Sequence, residues 1–142
     1  MFKAMLAKKI HVIDSPLWSE SGKAVYISGS GGSTQVSFEK PRQDSEQFQT
    51  LTLDDTVEKF AIPKLDMIKM DVEGAEYPIL LGAKETLLKF RPKLAISLYH
   101  SDEDFSRIPQ FLDSLDCGYE FSLAHHSLHQ GETVLYARTT KP

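Results

Sequence analysis

The chain has 142 residues, 41% of them hydrophobic and 25% charged, which is the composition of one ordinary globular domain. Its net charge of −4 argues against a surface that binds nucleic acid or anionic membranes. The sequence contains no apolar run of the roughly 20 residues that span a bilayer, and its single cysteine, Cys117, cannot form an intrachain disulfide. These features predict a cytoplasmic protein without nucleic-acid or membrane partners.

The N-terminal third is predicted to be rich in β-structure. Residues 10–14 have the pattern of a first strand, and Ala24–Ser28 and residues 35–38 predict two more. The glycine-rich residues 29–33 between these two predict a flexible, hairpin-like connection. Residues 39–47 are polar without periodicity, so we expect a surface loop there.

A short helix is predicted to follow this loop. Thr52 and Asp55 have the spacing of a capping box, in which each side chain satisfies a backbone amide at the start of a helix. Leu53, Val57 and Phe60 then form one apolar stripe at helical spacing. The helix therefore lies just before the next strand.

Residues 65–76, LDMIKMDVEGAE, are the most informative stretch of the chain. Apolar side chains form a near-continuous run over residues 65–72, which predicts a strand buried on both faces of a parallel sheet. Asp71 and Glu73 then lie at the carboxyl end of this strand, where open α/β sheets bind their ligands. A helix is expected over residues 75–83.

Further alternation of helix and strand is predicted after this point. Pro78 is tolerated in the first turn of the preceding helix, and Gly82 marks its end or a kink. Lys84–Phe90 predict a second helical piece, and residues 93–99 predict the next buried strand. This order of strand, helix and strand requires a right-handed parallel crossover.

The C-terminal third is predicted to contain a helix followed by a hairpin. Ser101 and Asp104 have the spacing of a second capping box, and Pro109 kinks the helix that follows. Tyr119–His125 and residues 133–137 alternate in polarity and predict a hairpin at the sheet edge. Four residues of the helix are expected to face the core: Phe105, Ile108, Leu112 and Leu115.

Four blocks of this sequence occur in the order of a known enzyme family: residues 50–55 (TLTLDD), 68–76 (IKMDVEGAE), 91–100 (RPKLAISLYH) and 132–137 (ETVLYA). From about His11 onward the chain closely resembles the FkbM family of S-adenosylmethionine-dependent methyltransferases. The resemblance implies an α/β fold with a partial Rossmann-like class I methyltransferase sheet, mostly parallel, with an antiparallel C-terminal hairpin and flanking helices. It also implies that the first two strands are missing, so that the chain is one N-terminally incomplete domain from the C-terminal part of a longer enzyme.

The resemblance implies S-adenosylmethionine as cofactor, which class I methyltransferases hold on a glycine-rich turn after their first strand. This chain has eight glycines, and its one Gly-x-Gly pair, Gly29 and Gly31, is followed by a β-like run instead of a helix. We therefore expect the chain alone to bind this cofactor weakly. Leu17 and Trp18 stand where the family shapes its adenine pocket, and burial of Trp18 in the core is the alternative.

The resemblance assigns Asp71 and Glu73 to the acidic turn that borders the donor methyl group and the acceptor hydroxyl. Asp71 is predicted to border the cofactor and to act as general base or acceptor ligand. Lys69, Asp71 and Glu73 share one strand face by period two, and Lys69 is predicted to tune the charge of Asp71. The alternatives are that Asp71 caps the helix, that Glu76 is solvated in its first turn, and that Lys69 only forms an ion pair with Asp71.

His100 is expected at the end of the next strand, beside the same edge of the sheet. This position makes it the best histidine candidate for acid–base work or acceptor binding, and a hydrogen bond to a loop carbonyl is the alternative. His125, His126 and His129 cluster near the last hairpin but lack a fixed ligand face. No metal site is predicted there or elsewhere.

Two functions are compatible with these features. The first is transfer of a methyl group from S-adenosylmethionine to a hydroxyl of a sugar or other small, oxygen-rich metabolite, as the resemblance implies. The alternative is a non-catalytic remnant, or a partner-dependent half domain, that acts as a binding module. The missing strands leave residues 65–72 with an open edge, which predicts either homo-oligomers through that edge or docking of the strand at residues 10–14 directly on it.

Overall fold

The computed structural model describes residues 10–28, 35–39, 46–127 and 132–140. The first of its two sheets is antiparallel and has the order β2–β1–β3. Its strands are β1 (Ala24–Ser28), β2 (Gln35–Ser37) and β3 (Glu46–Gln49). The predicted pairing of the first two strands is confirmed, while the glycine-rich connection at residues 29–33, with Gly29 and Gly31, lies outside the described residues.

Two expectations for this N-terminal part are wrong. Residues 10–14 form no strand, and Val12 has 88% of its surface exposed, because none of the described elements covers this short apolar pattern. The predicted loop over residues 39–47 includes the start of β3, which pairs with β1 through Ile27 and Glu46. A polar strand that is half exposed shows little hydrophobic periodicity, so its sequence resembles a loop.

The second sheet has the order β4–β5–β7–β6. The strands are β4 (Met67–Met70), β5 (Lys93–Ser97), β6 (Tyr119–His125) and β7 (Thr133–Thr139). Strands β4 and β5 are parallel, whereas β7 is antiparallel to both of its neighbours, which confirms the C-terminal hairpin at the sheet edge. The chain therefore has a mixed α/β fold.

The expectation of a mostly parallel sheet is wrong for the described residues. One of their five strand pairs is parallel, and the other four are antiparallel. A parallel pair needs a crossover of a dozen or more residues, and among the described elements β4 and β5 are the consecutive strands that are both neighbours in one sheet and joined through helices. The shorter links between β1 and β2 and between β6 and β7 return the chain antiparallel.

Four helices complete the described fold: α1 (Leu53–Lys59), α2 (Glu76–Leu81), α3 (Lys84–Phe90) and α4 (Asp104–Ser114). None of the helices in the described residues is long and apolar enough to cross a membrane. Thr52 caps α1 as predicted, accepting the amide of Asp55 at 2.9 Å. The positions of Pro78 in the first turn of α2 and Gly82 at its end are also confirmed.

The second capping box is wrong. The N-cap of α4 is Glu103, without a side-chain cap, and Asp104 is buried and accepts from Arg107 Nε at 2.6 Å. Phe105, expected in the core, is 43% exposed. The other three predicted core residues of α4 are buried: Ile108, Leu112 and Leu115.

Strand β5 lies in the core, with four of its five residues buried. Strand β4 is less buried than expected, because it stands at the sheet edge of the described fold with β5 as its neighbour. Met70 is buried, but Met67 is 55% exposed, so the prediction of burial on both faces is wrong for β4. Among the fully buried side chains of the core are Leu80, Leu87, Leu94, Ile96, Leu98 and Leu135.

Candidate functional site

Polar side chains meet where β4 and β5 end. The two strands are parallel, with Met70 opposite Ile96, so their carboxyl ends lie at one edge of the sheet. The chain leaving β4 carries Asp71 and Glu73, and the chain leaving β5 carries Tyr99 and His100. Glu76, the first residue of α2, approaches the same place. We call these five residues the carboxylate–histidine cluster.

Glu76 and His100 form the buried part of this cluster. Glu76 has no exposed surface, and the side chain of His100 is only 10% exposed. Oε1 of Glu76 accepts the backbone amide of Val72 at 2.9 Å and lies 2.9 Å from Nδ1 of His100. In this contact Nδ1 of His100 donates to Oε1 of Glu76, and Nε2 is the ring nitrogen that faces away from Glu76.

Nε2 of His100 points at the exposed carboxylates of the cluster. It lies 3.3 Å from Glu73 Oε2 and 3.9 Å from Asp71 Oδ1. Neither contact has the geometry of a hydrogen bond, so among the described residues Nε2 is buried without a partner, as is Oε2 of Glu76. Buried polar atoms without a partner are uncommon and call for an explanation.

Asp71 is held between two donors. Its Oδ1 accepts the hydroxyl of Tyr99 at 2.7 Å, and its Oδ2 accepts from Lys69 Nζ at 3.2 Å. The hydrogen bond from Tyr99 is the main reason why the pKa of Asp71 is below its usual value, with Lys69 adding to the effect. The same bond raises the pKa of Tyr99 to about 12. At neutral pH the pair is therefore a carboxylate and a neutral phenol.

Glu73 reaches the cluster through a turn of unusual backbone geometry. Glu73 and Gly74 have φ values of 54° and 92°, both in the left-handed region. This conformation costs a residue with a side chain about 1–2 kcal/mol. The strand ends at Met70, so the period-two argument that placed Lys69 and Glu73 on one strand face does not apply to Glu73.

Two purely structural alternatives that the sequence left open, for Asp71 and for Glu76, are wrong. Asp71 does not cap α2, because the N-cap is Ala75 and no side chain caps it. Glu76 is not solvated but fully buried. A signal for its burial was present in the sequence, since Glu76, Ile79, Leu80 and Ala83 have the spacing of one helix face, and all four are buried. No prediction from the sequence included Tyr99, whose hydroxyl donates to Asp71.

His125 and His126 lie on the C-terminal hairpin. His125 Nδ1 is 2.8 Å from the hydroxyl of Thr133, and His126 Nε2 is 3.1 Å from that of Tyr136. His129 lies outside the described residues. His125 and His126 thus have hydrogen-bond partners of their own. They lie at the end of the β6–β7 hairpin opposite Tyr119.

Leu17 and Trp18 lie away from the cluster, at the other end of α2. A Cβ on Gly82, which ends α2, would lie 2.3 Å from the backbone oxygen of Trp18, so this approach of two backbones requires glycine. The Trp18 ring packs edge-on against Phe38, with centroids 5.0 Å apart, and Leu17 packs on the core.

Two described glycines offer no backbone cradle for S-adenosylmethionine. The close approach at Gly82 is filled by the protein's own backbone, and the amide of Trp18 is already donated to Leu51 at 2.8 Å. A Cβ on Gly22 would meet nothing within 4 Å, so that glycine does not line a cleft. The roles of Asp71, Leu17 and Trp18 in cofactor binding stay predictions.

The sequence matches one family of enzymes. Residues 9–121 match the family described as the methyltransferase FkbM domain. The chain belongs to this FkbM methyltransferase family. This confirms the resemblance carried by the four sequence blocks.

A solved member of the family has a similar fold. The crystal structure of methyltransferase FkbM from Methylobacillus flagellatus KT superposes on this chain with a TM-score of 0.68 and 25% sequence identity. The superposition covers 96% of this chain and 30% of that one, so the chain spans less than a third of the solved FkbM structure. No curated protein matches the chain significantly.

Proposed function

We propose that the carboxylate–histidine cluster is the acceptor side of an S-adenosylmethionine-dependent O-methyltransferase. The acceptor of this proposal is a hydroxyl group on a sugar or another small, oxygen-rich metabolite. One observation carries the proposal: the ionised carboxylate of Asp71, fixed by Tyr99 at 2.7 Å, lies at the carboxyl end of β4. Membership of the FkbM methyltransferase family supports the reaction class.

In this proposal Asp71 orients the acceptor hydroxyl by accepting its hydrogen bond. The side chain of Asp71 is 36% exposed, so a small molecule can reach its oxygens from solvent. Its lowered pKa keeps Asp71 ionised, so that it can accept hydrogen bonds, and makes it a weak base. The hydroxyl proton passes to a carboxylate of the cluster, for which Asp71 and Glu73 are the exposed candidates.

S-adenosylmethionine supplies the methyl group in reactions of this class. Neither Gly22 nor Gly82 offers a backbone cradle for it. We therefore expect titration calorimetry of this chain with S-adenosylmethionine to show no binding tighter than millimolar, about −4 kcal/mol. A micromolar dissociation constant would contradict this expectation and would require a binding pocket outside the described residues.

The acceptor site can be tested separately from the cofactor. We expect amide NMR spectra titrated with sugars, polyols and hydroxy acids to shift the signals of Asp71, Tyr99 and His100 for at least one compound. Asp71→Asn removes the charge with little change of shape and abolishes these shifts. The matched control is Asp66→Asn, which alters an exposed aspartate that pairs only with Lys64. If no compound shifts the cluster at tens of millimolar, the acceptor proposal is wrong.

Partners and location complete the proposal. A small-molecule acceptor, with neither nucleic acid nor a membrane surface, agrees with the net charge of −4. A cytoplasmic location agrees with the free, buried thiol of Cys117. Homo-oligomers through β4 agree with its position at the edge of the described sheet. The alternative, a non-catalytic binding module, would keep the oligomer and show no methyl transfer.

A further inference from the structure

We infer that the carboxylate–histidine cluster binds a divalent first-row transition-metal ion through His100 Nε2, Glu73 and Asp71. The ligand set is one imidazole and two carboxylates, which is typical of such ions. Glu76 is not needed as a ligand in this arrangement, because it holds the other ring nitrogen of His100.

The first argument is the state of His100. Its side chain is nine-tenths buried, and its Nε2 has no hydrogen-bond partner among the described residues while facing two carboxylates. A cation between Nε2 and these oxygens satisfies the buried nitrogen and is attracted by both carboxylates.

The second argument is distance. Two ligand atoms that share one cation at about 2.1 Å lie roughly 3.0–3.4 Å apart for angles between 90° and 109°. Nε2 of His100 is 3.3 Å from Glu73 Oε2, within this range, and 3.9 Å from Asp71 Oδ1. Asp71 therefore needs a shift of only a few tenths of an ångström, and its exposed side chain allows it.

The third argument is the support behind the histidine. Histidines that bind metals commonly donate their other ring hydrogen to a carboxylate, which fixes the ring and makes the ligating nitrogen more basic. Glu76 does this for His100 at 2.9 Å from inside the core, and the amide of Val72 fixes Glu76 in turn. Asp71, Glu76 and His100 can place one ligand atom each within 4.8 Å of one another, and Glu73 takes the place of Glu76 as ligand because Glu76 holds Nδ1 of His100.

The fourth argument is charge. Three carboxylates, those of Asp71, Glu73 and Glu76, surround His100, and Lys69 is the one cation in contact with them among the described residues. Three acidic side chains thus surround the histidine with one basic side chain beside them, and a divalent cation offsets this excess of acidic groups. Glu73 is held toward this point at a φ of 54°, a conformation that carries a steric cost.

A cation at this position also explains how a weak base serves in the reaction. Metal coordination lowers the pKa of a bound hydroxyl, so that a carboxylate with a low pKa suffices to take its proton. The binding of the ion rests on the geometry alone, whereas this part in catalysis rests on the proposed function.

The probe for the test is Mn²⁺, added to the metal-free chain without cofactor or acceptor. We expect a micromolar dissociation constant in calorimetry and a nitrogen coupling from the imidazole in pulsed electron paramagnetic resonance. Mg²⁺, which prefers oxygen ligands, should bind at least tenfold more weakly. Millimolar or no binding of Mn²⁺ would overturn the inference and leave Nε2 of His100 as a proton acceptor.

Variants show whether the ion occupies this cluster. His100→Gln should weaken binding of Mn²⁺ at least tenfold and abolish the nitrogen coupling, while His126→Gln, on the C-terminal hairpin, should change neither. Glu73→Gln provides a second test that does not disturb the core, because the Glu73 side chain is 53% exposed, with Glu58→Gln as its control. Equal affinities in wild type, His100→Gln and Glu73→Gln would also overturn the inference. Intact Mn²⁺ binding without methyl transfer would instead contradict the proposed function.

Discussion

Glu76 accepts the ring hydrogen of His100 at 2.9 Å from a position with no exposed surface. The contact joins the start of α2 to the segment after β5, two elements that are 24 residues apart in the chain. It fixes the ring of His100 so that Nε2 faces Asp71 and Glu73. The stability of the fold and the geometry of the candidate site therefore depend on the same buried side chain.

Replacement of Glu76 by alanine should be costly to the fold. The change leaves the amide of Val72 and Nδ1 of His100 without their acceptor, and each unsatisfied buried group costs about 1–3 kcal/mol. We expect urea denaturation to show a loss of about 2–5 kcal/mol in the free energy of unfolding. Glu58→Ala, at an exposed helical position, should change it by less than about 0.5 kcal/mol. Equal stability of the two variants would contradict the structural role of Glu76.

Much of this fold could be predicted from the sequence, because its signals are local. Apolar spacing predicted α1, α3, β5, β6 and β7 to within a few residues, and the positions of Pro78 and Gly82 predicted the limits of α2. Residues 46 and 47 were misassigned because a polar strand has no hydrophobic period. Residues 10–14 were misassigned because an apolar pattern forms a strand only beside a partner, and partner positions are not local information.

The candidate site could be predicted only in part for the same reason. Asp71 and His100 follow from the rule that ligands bind at the carboxyl ends of parallel strands. The bond between Tyr99 and Asp71 spans 28 residues and depends on the register of β4 against β5. Glu76 has a visible signal, its spacing to Ile79 and Leu80, but an acidic residue at the start of a helix is usually explained by the helix dipole.

The cap of α1 should make stability depend on pH. Hydrogen bonds from the hydroxyl of Ser21 and from Thr52 hold the pKa of Asp55 below its usual value in the folded chain. A lowered folded pKa stabilises the fold above the unfolded pKa of about 3.9, and the effect is lost as pH falls below it. We expect Asp55→Asn to unfold at lower urea than wild type at pH 6 and at the same urea at pH 2.

The pH dependence of the Asp55→Asn variant needs a control of its own, because the neighbouring carboxylate of Asp54 also makes hydrogen bonds. Asp54 accepts the amides of Glu85 and Thr86 and lies next to the same cap. Ser21→Ala removes the largest cause of the lowered pKa of Asp55 and leaves Asp54 untouched, and it should reduce the difference between the two pH values. A difference between Asp55→Asn and wild type that is the same at pH 6 and pH 2 would contradict the electrostatic origin of the effect.

Gly82 should not tolerate a side chain. A Cβ at this position would lie 2.3 Å from the backbone oxygen of Trp18, and neither backbone can move freely. We expect Gly82→Ala to reduce the free energy of unfolding by about 1–3 kcal/mol or more. Amide exchange should also become faster at Trp18, whose N–H donates to Leu51. Lys84→Ala, at an exposed site of α3, is the control, and a similar stability for both variants would be the contradictory result.

The edge of β4 should associate with a second copy of the chain. Its outward residues include the 55% exposed Met67, with Lys69 as the one charge on the strand that discourages pairing. We expect light scattering after size exclusion to show an oligomer, and the amides of β4 to exchange slowly. Met67→Lys adds a second charge to the edge and should yield a monomer.

The control for this edge lies on the opposite side of the sheet. Leu123 in β6, the other edge strand, is 60% exposed, and Leu123→Lys should leave the mass of the oligomer unchanged. A wild-type monomer with fast-exchanging β4 amides would contradict association through this edge. Dissociation by Leu123→Lys but not by Met67→Lys would assign the interface to β6.

The central claim is that Asp71 contacts the hydroxyl that receives the methyl group. Its most direct test is transfer of a tritiated methyl group to the acceptor identified by NMR, with S-adenosylmethionine at millimolar concentration and Mn²⁺ present. We expect Asp71→Asn to reduce the transfer rate by about 10²-fold or more, the scale of losing a positioned proton acceptor, while Asp66→Asn keeps the wild-type rate. Equal rates in wild type and a folded Asp71→Asn variant, or no transfer by wild type, would contradict the claim.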